Sequence, residues 1–143
     1  MQVEQISIFL ENKPGRLENV TRILKDANIN IRTLSVADTS DFGIVRLIVD
    51  NVAEAARVFK EQGYTFNRSS VVAVEVPDSA GALHDILDVL SKAHVNIEYM
   101  YAFMEKSGCN AVMLFRFDKP DEAIDALNRH NATVLSGEAF YSL

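Results

Sequence analysis

Asn12-Lys13-Pro14-Gly15-Arg16-Leu17 follows the alternating stretch Val3 to Leu10 and opens a segment with Val20, Ile23, Leu24 and Ala27 at helical spacing. From Gly15 to Gly81, 66 residues on, the chain repeats itself: Asp78-Ser79-Ala80-Gly81-Ala82-Leu83 stands in the same setting. Leu17, Val20, Leu24 and Ala27 become Leu83, Ile86, Leu90 and Ala93, and Asn30-Ile31 becomes Asn96-Ile97. Repetition at a fixed offset sets the unit of architecture before any local assignment. The expected organisation is two copies of one small domain, residues 1–69 and 70–143.

Working outward from the loop, Val3 to Glu11 alternates as a strand, and Asn12 to Gly15 supplies turn residues. Leu17, Val20, Ile23, Leu24 and Ala27 then form one buried stripe of a helix that stops near Asn28. Asn30–Asp38 and Gly43–Asp50 read as strands of a hairpin turning at Thr39–Phe42. Asn51 with Glu54 matches a capping pattern for a second helix carrying Val52, Ala55, Ala56 and Phe59, which Gly63 ends. Tyr64 to Ser69 completes βαββαβ, the split βαβ or ferredoxin-like order. The second copy repeats it over Val71–Val76, Gly81–Ala93, Asn96–Met104, Asn110–Asp118, Pro120–His130 and about Ala132–Tyr141, with two extra residues near Ser107-Gly108. The fold class is α+β: two tandem ferredoxin-like domains with antiparallel sheets. The join at Arg68-Ser69-Ser70 has no flexible linker. Several strands are apolar on both sides, Val45, Leu47 and Val49 against Ile44 and Ile48, and Tyr99, Tyr101 and Phe103 against Met100 and Met104. Helices cover one face of such a sheet, so the other is expected to meet a further sheet or chain.

At 143 residues, 48% apolar and 24% charged, the composition is that of globular protein. Modules of about 70 residues bury little surface alone, which predicts association, with a dimer as the simplest form. Residues 1–70 hold nine Lys/Arg and nine Asp/Glu, so the net charge of −6 resides in the second copy. A nucleic-acid partner would require a basic face, and none is expected. Cys109 is the single cysteine, which excludes an intramolecular disulfide and a multi-thiolate metal site. No leader-like start and no long apolar run is visible, so a cytoplasmic protein without membrane attachment is expected.

Strand, Asn12-Lys13-Pro14-Gly15, helix is a chemically suggestive order. Pro14 is tolerated in a first helical turn, Gly15 permits close approach to the backbone, and free first-turn amides backed by the helix dipole favour a carboxylate or phosphate. The alternative is a turn chosen for geometry, capped by Asn12 or Lys13. In the second copy Ser79 is the better capping residue, while Asp78 puts negative charge where an anion would sit, suiting an ammonium group or a purely structural loop.

Catalysis and metal binding find little support. His84, His94 and His130 lie on different elements, and His94, aligned with Asn28, reads as a helix C-terminal cap. Cys109 has no neighbouring base, and Asp118, Asp121, Glu122 and Asp125 gather at a helix start, where negative charge suits the dipole. The third strand, Gly43-Ile44-Val45-Arg46-Leu47, lacks the exposed aromatics of an RNA-binding sheet; Phe115 and Phe117 lack basic flanks. No Cys-x-x-Cys is present for a metallochaperone. No catalytic residue, metal ligand or cofactor is assigned.

Strand, Asn-Lys-Pro-Gly-Arg-Leu, helix, then Asn28-Ile29-Asn30-Ile31 resembles the ACT domain, the small regulatory module of amino-acid metabolism, and the two copies together span essentially the whole chain. Asn12, Pro14, Gly15 and Leu17 match the Asp/Asn-x-Pro-Gly-x-Leu loop of that family; in the second copy Ala80 replaces proline, while Asp78, Gly81 and Leu83 match. The resemblance implies domains paired through strands or sheet faces and a small ligand, often an amino acid, at the interface near the loop. The implied ligand-binding residues are Asn12, Lys13, Pro14, Gly15, Arg16 and Leu17, then Asp78, Ser79, Ala80, Gly81, Ala82 and Leu83, with Asn30 and Asn96 where the second strands start. The expected function is a stand-alone tandem regulatory or sensor protein, not an enzyme, acting as a homo-oligomer and signalling to a partner protein. The alternative is a protein–protein interaction module without a small-molecule ligand.

Overall fold

The computed structural model describes residues 2–38, 41–104 and 110–143. The chain divides into two compact units, Glu4–Ser69 and Ser70–Leu143, the latter joined by Met1–Val3.

The first unit runs β1 (Val3–Glu11), α1 (Arg16–Asp26), β2 (Ile31–Asp38), β3 (Phe42–Val49), α2 (Val52–Glu61) and the start of β4 (Thr65–Pro77). Its strands lie in the order β2-β3-β1-β4. Antiparallel register places Ile6 opposite Leu47 and Ile8 opposite Val45, so every second residue joins the core. There Ile6, Ile8, Leu10, Val45, Leu47 and Val49 meet Val20 and Leu24 of α1 and Ala55 and Phe59 of α2. Phe59, fully buried, stands edge-on to Tyr64; burial of such a ring contributes about 2–3 kcal/mol. Leu17, expected in the buried stripe, is 38% exposed instead and lines a cleft with Leu10, Val36 and Val45.

No turn separates the two sequence copies. Tyr64–Ser69 and Val71–Val76 were expected as separate strands, but β4 is continuous over 13 residues. Its later part pairs with β6 (Asn110–Phe117) and β7 (Thr133–Leu135), while β5 (Ile97–Met104) pairs with β6. Helices α3 (Ala82–Lys92) and α4 (Pro120–Arg129) cover one face, burying Ile86, Leu90, Ala123 and Leu127 against Val72, Val74, Phe115 and Phe117. Both phenylalanine rings of β6 thus belong to the core.

The end of the second copy departs from expectation. A strand over Ala132–Tyr141 was anticipated; β7 covers only Thr133–Leu135, and α5 (Gly137–Tyr141) follows. Ser136 caps it, its Oγ accepting the Ala139 N–H at 3.1 Å, and this local bond competes with strand continuation. α5 brings Phe140, fully buried, to 5.3 Å from the Phe103 ring. Phe103 lies on the sheet face opposite the helices, so part of the surface expected to meet another sheet or chain is covered by the chain's own end. The hairpin insertion at Ser107-Gly108 and the Cys109 position lie outside the described residues.

Helices α1 to α4 stop in one way. At α1 the Asn28 N–H reaches the Lys25 carbonyl (3.0 Å) and the Ile29 N–H the Leu24 carbonyl (2.9 Å). At α3 His94 and Val95 reach Ser91 and Leu90 at 3.0 and 3.1 Å; Gly63–Tyr64 and Asn131–Ala132 complete the set. This is the Schellman arrangement, whose C′ residue is left-handed. Asn28, His94 and Asn131 have φ of 56°, 57° and 58°. His94 does end its helix, but by backbone conformation.

A left-handed residue other than glycine or asparagine is held at a cost of about 1–2 kcal/mol. His94→Gly is therefore expected to raise stability by about 0.5–1 kcal/mol after allowing for the greater freedom of glycine in the unfolded chain, and Asn28→Gly by less; urea unfolding measures both. Phe140→Ala is expected to lower stability by about 3–5 kcal/mol, whereas a loss under 1 kcal/mol in the same assay would show that α5 packs only loosely.

Candidate functional site

β1 ends at Glu11 and α1 begins at Arg16, leaving Asn12–Gly15 to reverse the chain. Pro14 and Gly15 form the centre of a turn in which the Arg16 N–H approaches the Lys13 carbonyl at 3.4 Å, and Gly15 adopts φ 85°, ψ −10°. Those angles are of type II, which favours Pro then Gly at its central positions. Pro14 thus precedes the helix instead of occupying its first turn. The N-cap is Gly15, not Asn12 or Lys13, and among the described residues no side chain caps the helix.

The second loop repeats this geometry: Ala82 N–H to Ser79 carbonyl at 3.2 Å, Gly81 at φ 85°, ψ −9°. Ser79 does not cap α3, because the N-cap falls two residues later at Gly81. By contrast, Asn51 caps α2 as its spacing predicts, its Oδ1 accepting the Glu54 N–H at 3.1 Å. Among the described residues, the amides of Leu17 and Glu18 in α1, and of Leu83 and His84 in α3, meet no backbone acceptor outside the helix. Such donors lie at the positive end of the helix dipole. A Cβ built on Gly15 or Gly81 would meet no atom within 4 Å. The glycines are thus required by positive φ and leave the turn open to solvent.

Charges distinguish the loops. Glu11 accepts from Lys13 Nζ at 2.8 Å and lies 3.7 Å from an Arg16 nitrogen. The Lys13 hydrogen bond, and then the charges of Lys13 and Arg16, hold the Glu11 carboxyl below its ordinary range. A cleft of about 280 Å³ runs from Glu11, Asn12 and Lys13 past Arg16 and Leu17 to Val36 and Val45. A second, of about 350 Å³, shares Glu11 and Arg16 and adds Phe9, Asn19, Gln62 and Tyr64. Asn19 Nδ2 donates to the Tyr64 hydroxyl.

Asn19, Gln62 and Tyr64 were not anticipated from sequence. They come from α1, the residue capping α2 and the chain just beyond it, and only packing makes them neighbours. One signal existed: Tyr64 takes the position after the left-handed residue, where Ile29, Val95 and Ala132 stand in the other helices, and it alone carries a polar tip there.

The predicted residues do not all converge. Asn12–Leu17 gather at the loop, whereas Asn30 sits at the other end of β3: Glu11 pairs with Phe42, but Ile31 pairs with Val49, roughly 23 Å away at about 3.3 Å per residue. Asn30 lines a separate cleft of about 490 Å³. Its N–H is held by Asp50 Oδ1 at 3.0 Å, and its carbonyl accepts the Asp50 N–H at 3.1 Å. Asn96 and Asp118 repeat the pair at 2.9 and 3.2 Å, away from Asp78–Leu83 by the same logic. Asp118 therefore has a structural task, and Asp121 and Glu122 lie in the first turn of α4.

Among the described residues no group of three His, Cys, Asp or Glu could hold a metal, and no helix is long and apolar enough to cross a membrane. His130 Nδ1 bonds to the Ala126 carbonyl at 2.9 Å, and His84 is exposed after the second loop.

Among curated proteins, none matches the chain. A crystal structure of a Bacteroides thetaiotaomicron protein is 38% identical, with a TM-score of 0.92, over 100% of this chain and 98% of that one. The ligand-free regulatory subunit of aspartate kinase from Thermus thermophilus is 14% identical at a TM-score of 0.64, over 88% of this chain and 91% of that one, and shares the fold. So does E. coli aspartokinase III, crystallised with aspartate and ADP, at 13% identity and a TM-score of 0.56 over 91% of this chain and 32% of that one. A family model described as an ACT domain pair matches residues 1–141, and with both βαββαβ copies in place the chain belongs to that family.

Proposed function

We propose that this chain is a regulatory or sensor protein that binds an amino acid where β1 enters α1, with residues 1–69 and 70–143 as its two modules. The observation that carries this reading is the uncapped start of α1. Among the described residues no side chain caps its first turn, and the adjoining glycine faces open space. An α-carboxylate satisfies those donors, and the ionised Glu11 beside them suits an ammonium group. Asn12–Leu17 form the primary site in this proposal, and Asp78–Leu83 the corresponding loop of the second module. Asn30 and Asn96, remote from the loops of their own modules, contribute only if a neighbouring module presents them across an interface. The protein then works as a homo-oligomer, a dimer in the simplest case, in which ligand changes association and a partner protein receives the signal. No catalytic role and a cytoplasmic location complete the proposal.

One observation favours a second reading, an interaction module without ligand. Phe9, Leu17, Leu34, Val36 and Phe42 of the first unit are between 38% and 59% exposed, against Leu143 at 39% in the second. Such side chains suit a protein partner.

A thermal-shift series with the twenty amino acids separates the two. Ligand at 100 times its dissociation constant adds about 2.7 kcal/mol, so at least one amino acid is expected to raise Tm by several degrees; no shift with any of them would leave the interaction module standing. Gly15→Val is expected to abolish that shift. Since φ of 85° strains any L residue, it also lowers Tm, and Gly81→Val, at the same φ, calibrates that loss. Undiminished binding by Gly15→Val would place the ligand elsewhere.

A further inference from the structure

The two loops share one backbone and differ in every charge. Glu11, Lys13 and Arg16 of the first correspond to Pro77, Ser79 and Ala82 of the second, while Asn12 and Asn19 correspond to Asp78 and Asp85. Two cations against one carboxylate thus surround the first turn, and two carboxylates take uncharged positions around the second. The remaining acid of the first turn, Glu18, is bonded to Arg22 at 2.6 Å. We propose that the first module alone binds ligand, one per chain, and that it selects an acidic amino acid, whose second carboxylate is read by Arg16. This rests on the amino-acid reading of the first loop and adds the ligand class, the reader and the stoichiometry.

The geometry around Arg16 supports the assignment. Arg16 lines both clefts, the one beside the loop and the one shared with Asn19 and Tyr64. Lys13 holds Glu11 at 2.8 Å, but Arg16 approaches the same carboxylate only to 3.7 Å, beyond hydrogen-bond length. A guanidinium presents five donors in a planar fork that fits a carboxylate with two bonds. A ligand anchored by its α-carboxylate on the Leu17 and Glu18 amides can direct a side-chain carboxylate past Arg16 into the second cleft. There the Tyr64 hydroxyl, which accepts from Asn19, keeps its own proton to donate. Charge balances as well: an acidic amino acid carries one net negative charge, and Glu11, Lys13 and Arg16 together carry one net positive charge. In the second module Ala82 offers no fork, and Asp78 and Asp85 repel the same ligand.

Isothermal titration calorimetry of the full chain with L-glutamate, L-aspartate and their amides, L-glutamine and L-asparagine, tests this. One acidic amino acid is expected to bind per chain, at least about tenfold more tightly than its amide, the size of one charge-assisted bond. Arg16→Gln is expected to erase that preference while weak binding of the amide persists, and Lys60→Gln, which removes an exposed cation of α2, is expected to keep it. Equal affinity for acid and amide, two sites per chain, or a preference that survives Arg16→Gln would each overturn the inference. If a neutral amino acid binds at the loop and acidic ones do not, this inference fails and the general reading stands. If none of the twenty binds, both fail.

Discussion

A glycine held at φ 85° just before the first helix sets the geometry with which β1 enters α1. Only a residue without a Cβ occupies that region at low cost, and a glycine has no side chain with which to cap the helix it precedes. The requirement that turns the chain sharply from β1 into α1 therefore also leaves the helix start unserved. Asn51 and Ser136 show the contrast, each offering a side-chain oxygen to a first-turn amide, whereas α4, entered through Lys119 with Pro120 in its first turn, has no side-chain cap either. The uncapped helix start is a by-product of backbone geometry, and the same by-product arises at Gly81.

What distinguishes the two loops is therefore electrostatic. Their turns agree within a degree or so in φ and ψ, their helices end in the same hydrogen-bond pattern, and the Asn–Asp pairs tying β2 to β3 and β5 to β6 recur at nearly the same lengths. Duplication preserved everything that backbone satisfaction demands. Charge at the loops, which folding does not constrain at exposed positions, diverged. Surface pairs such as Lys13–Glu11 contribute little to stability, so they can be altered without loss of the fold.

Division of labour within each module follows from burial. The apolar face of the sheet must be covered by two helices, and the stripe Val20, Leu24, Ala55 and Phe59 does so in the first unit. In the second unit α5 adds a cover over part of the other face through Phe140. In the first unit Leu34 and Val36, opposite Leu47 and Val45 of the core, are exposed at the edge of the helix-covered face.

The repeat, the order of elements apart from the merged β4 and the last helix, the Asn51 cap and the helix stops at Asn28, Gly63 and His94 were legible in the sequence, because each rests on interactions within a few residues. The loop Asn12–Leu17 was legible for the same reason. Its cap was not: whether Asn12, Lys13 or Gly15 starts the helix depends on a turn type that residue identities alone leave open. Tertiary structure decided what lies far apart in the chain. It placed Asn30 and Asn96 away from the loops, brought Asn19, Gln62 and Tyr64 beside Arg16, merged two expected strands into β4 and folded the last residues into α5. Local hydrogen bonding is written in short stretches of sequence; which side chains share a cleft is set by strand register and helix packing, which only the assembled core determines.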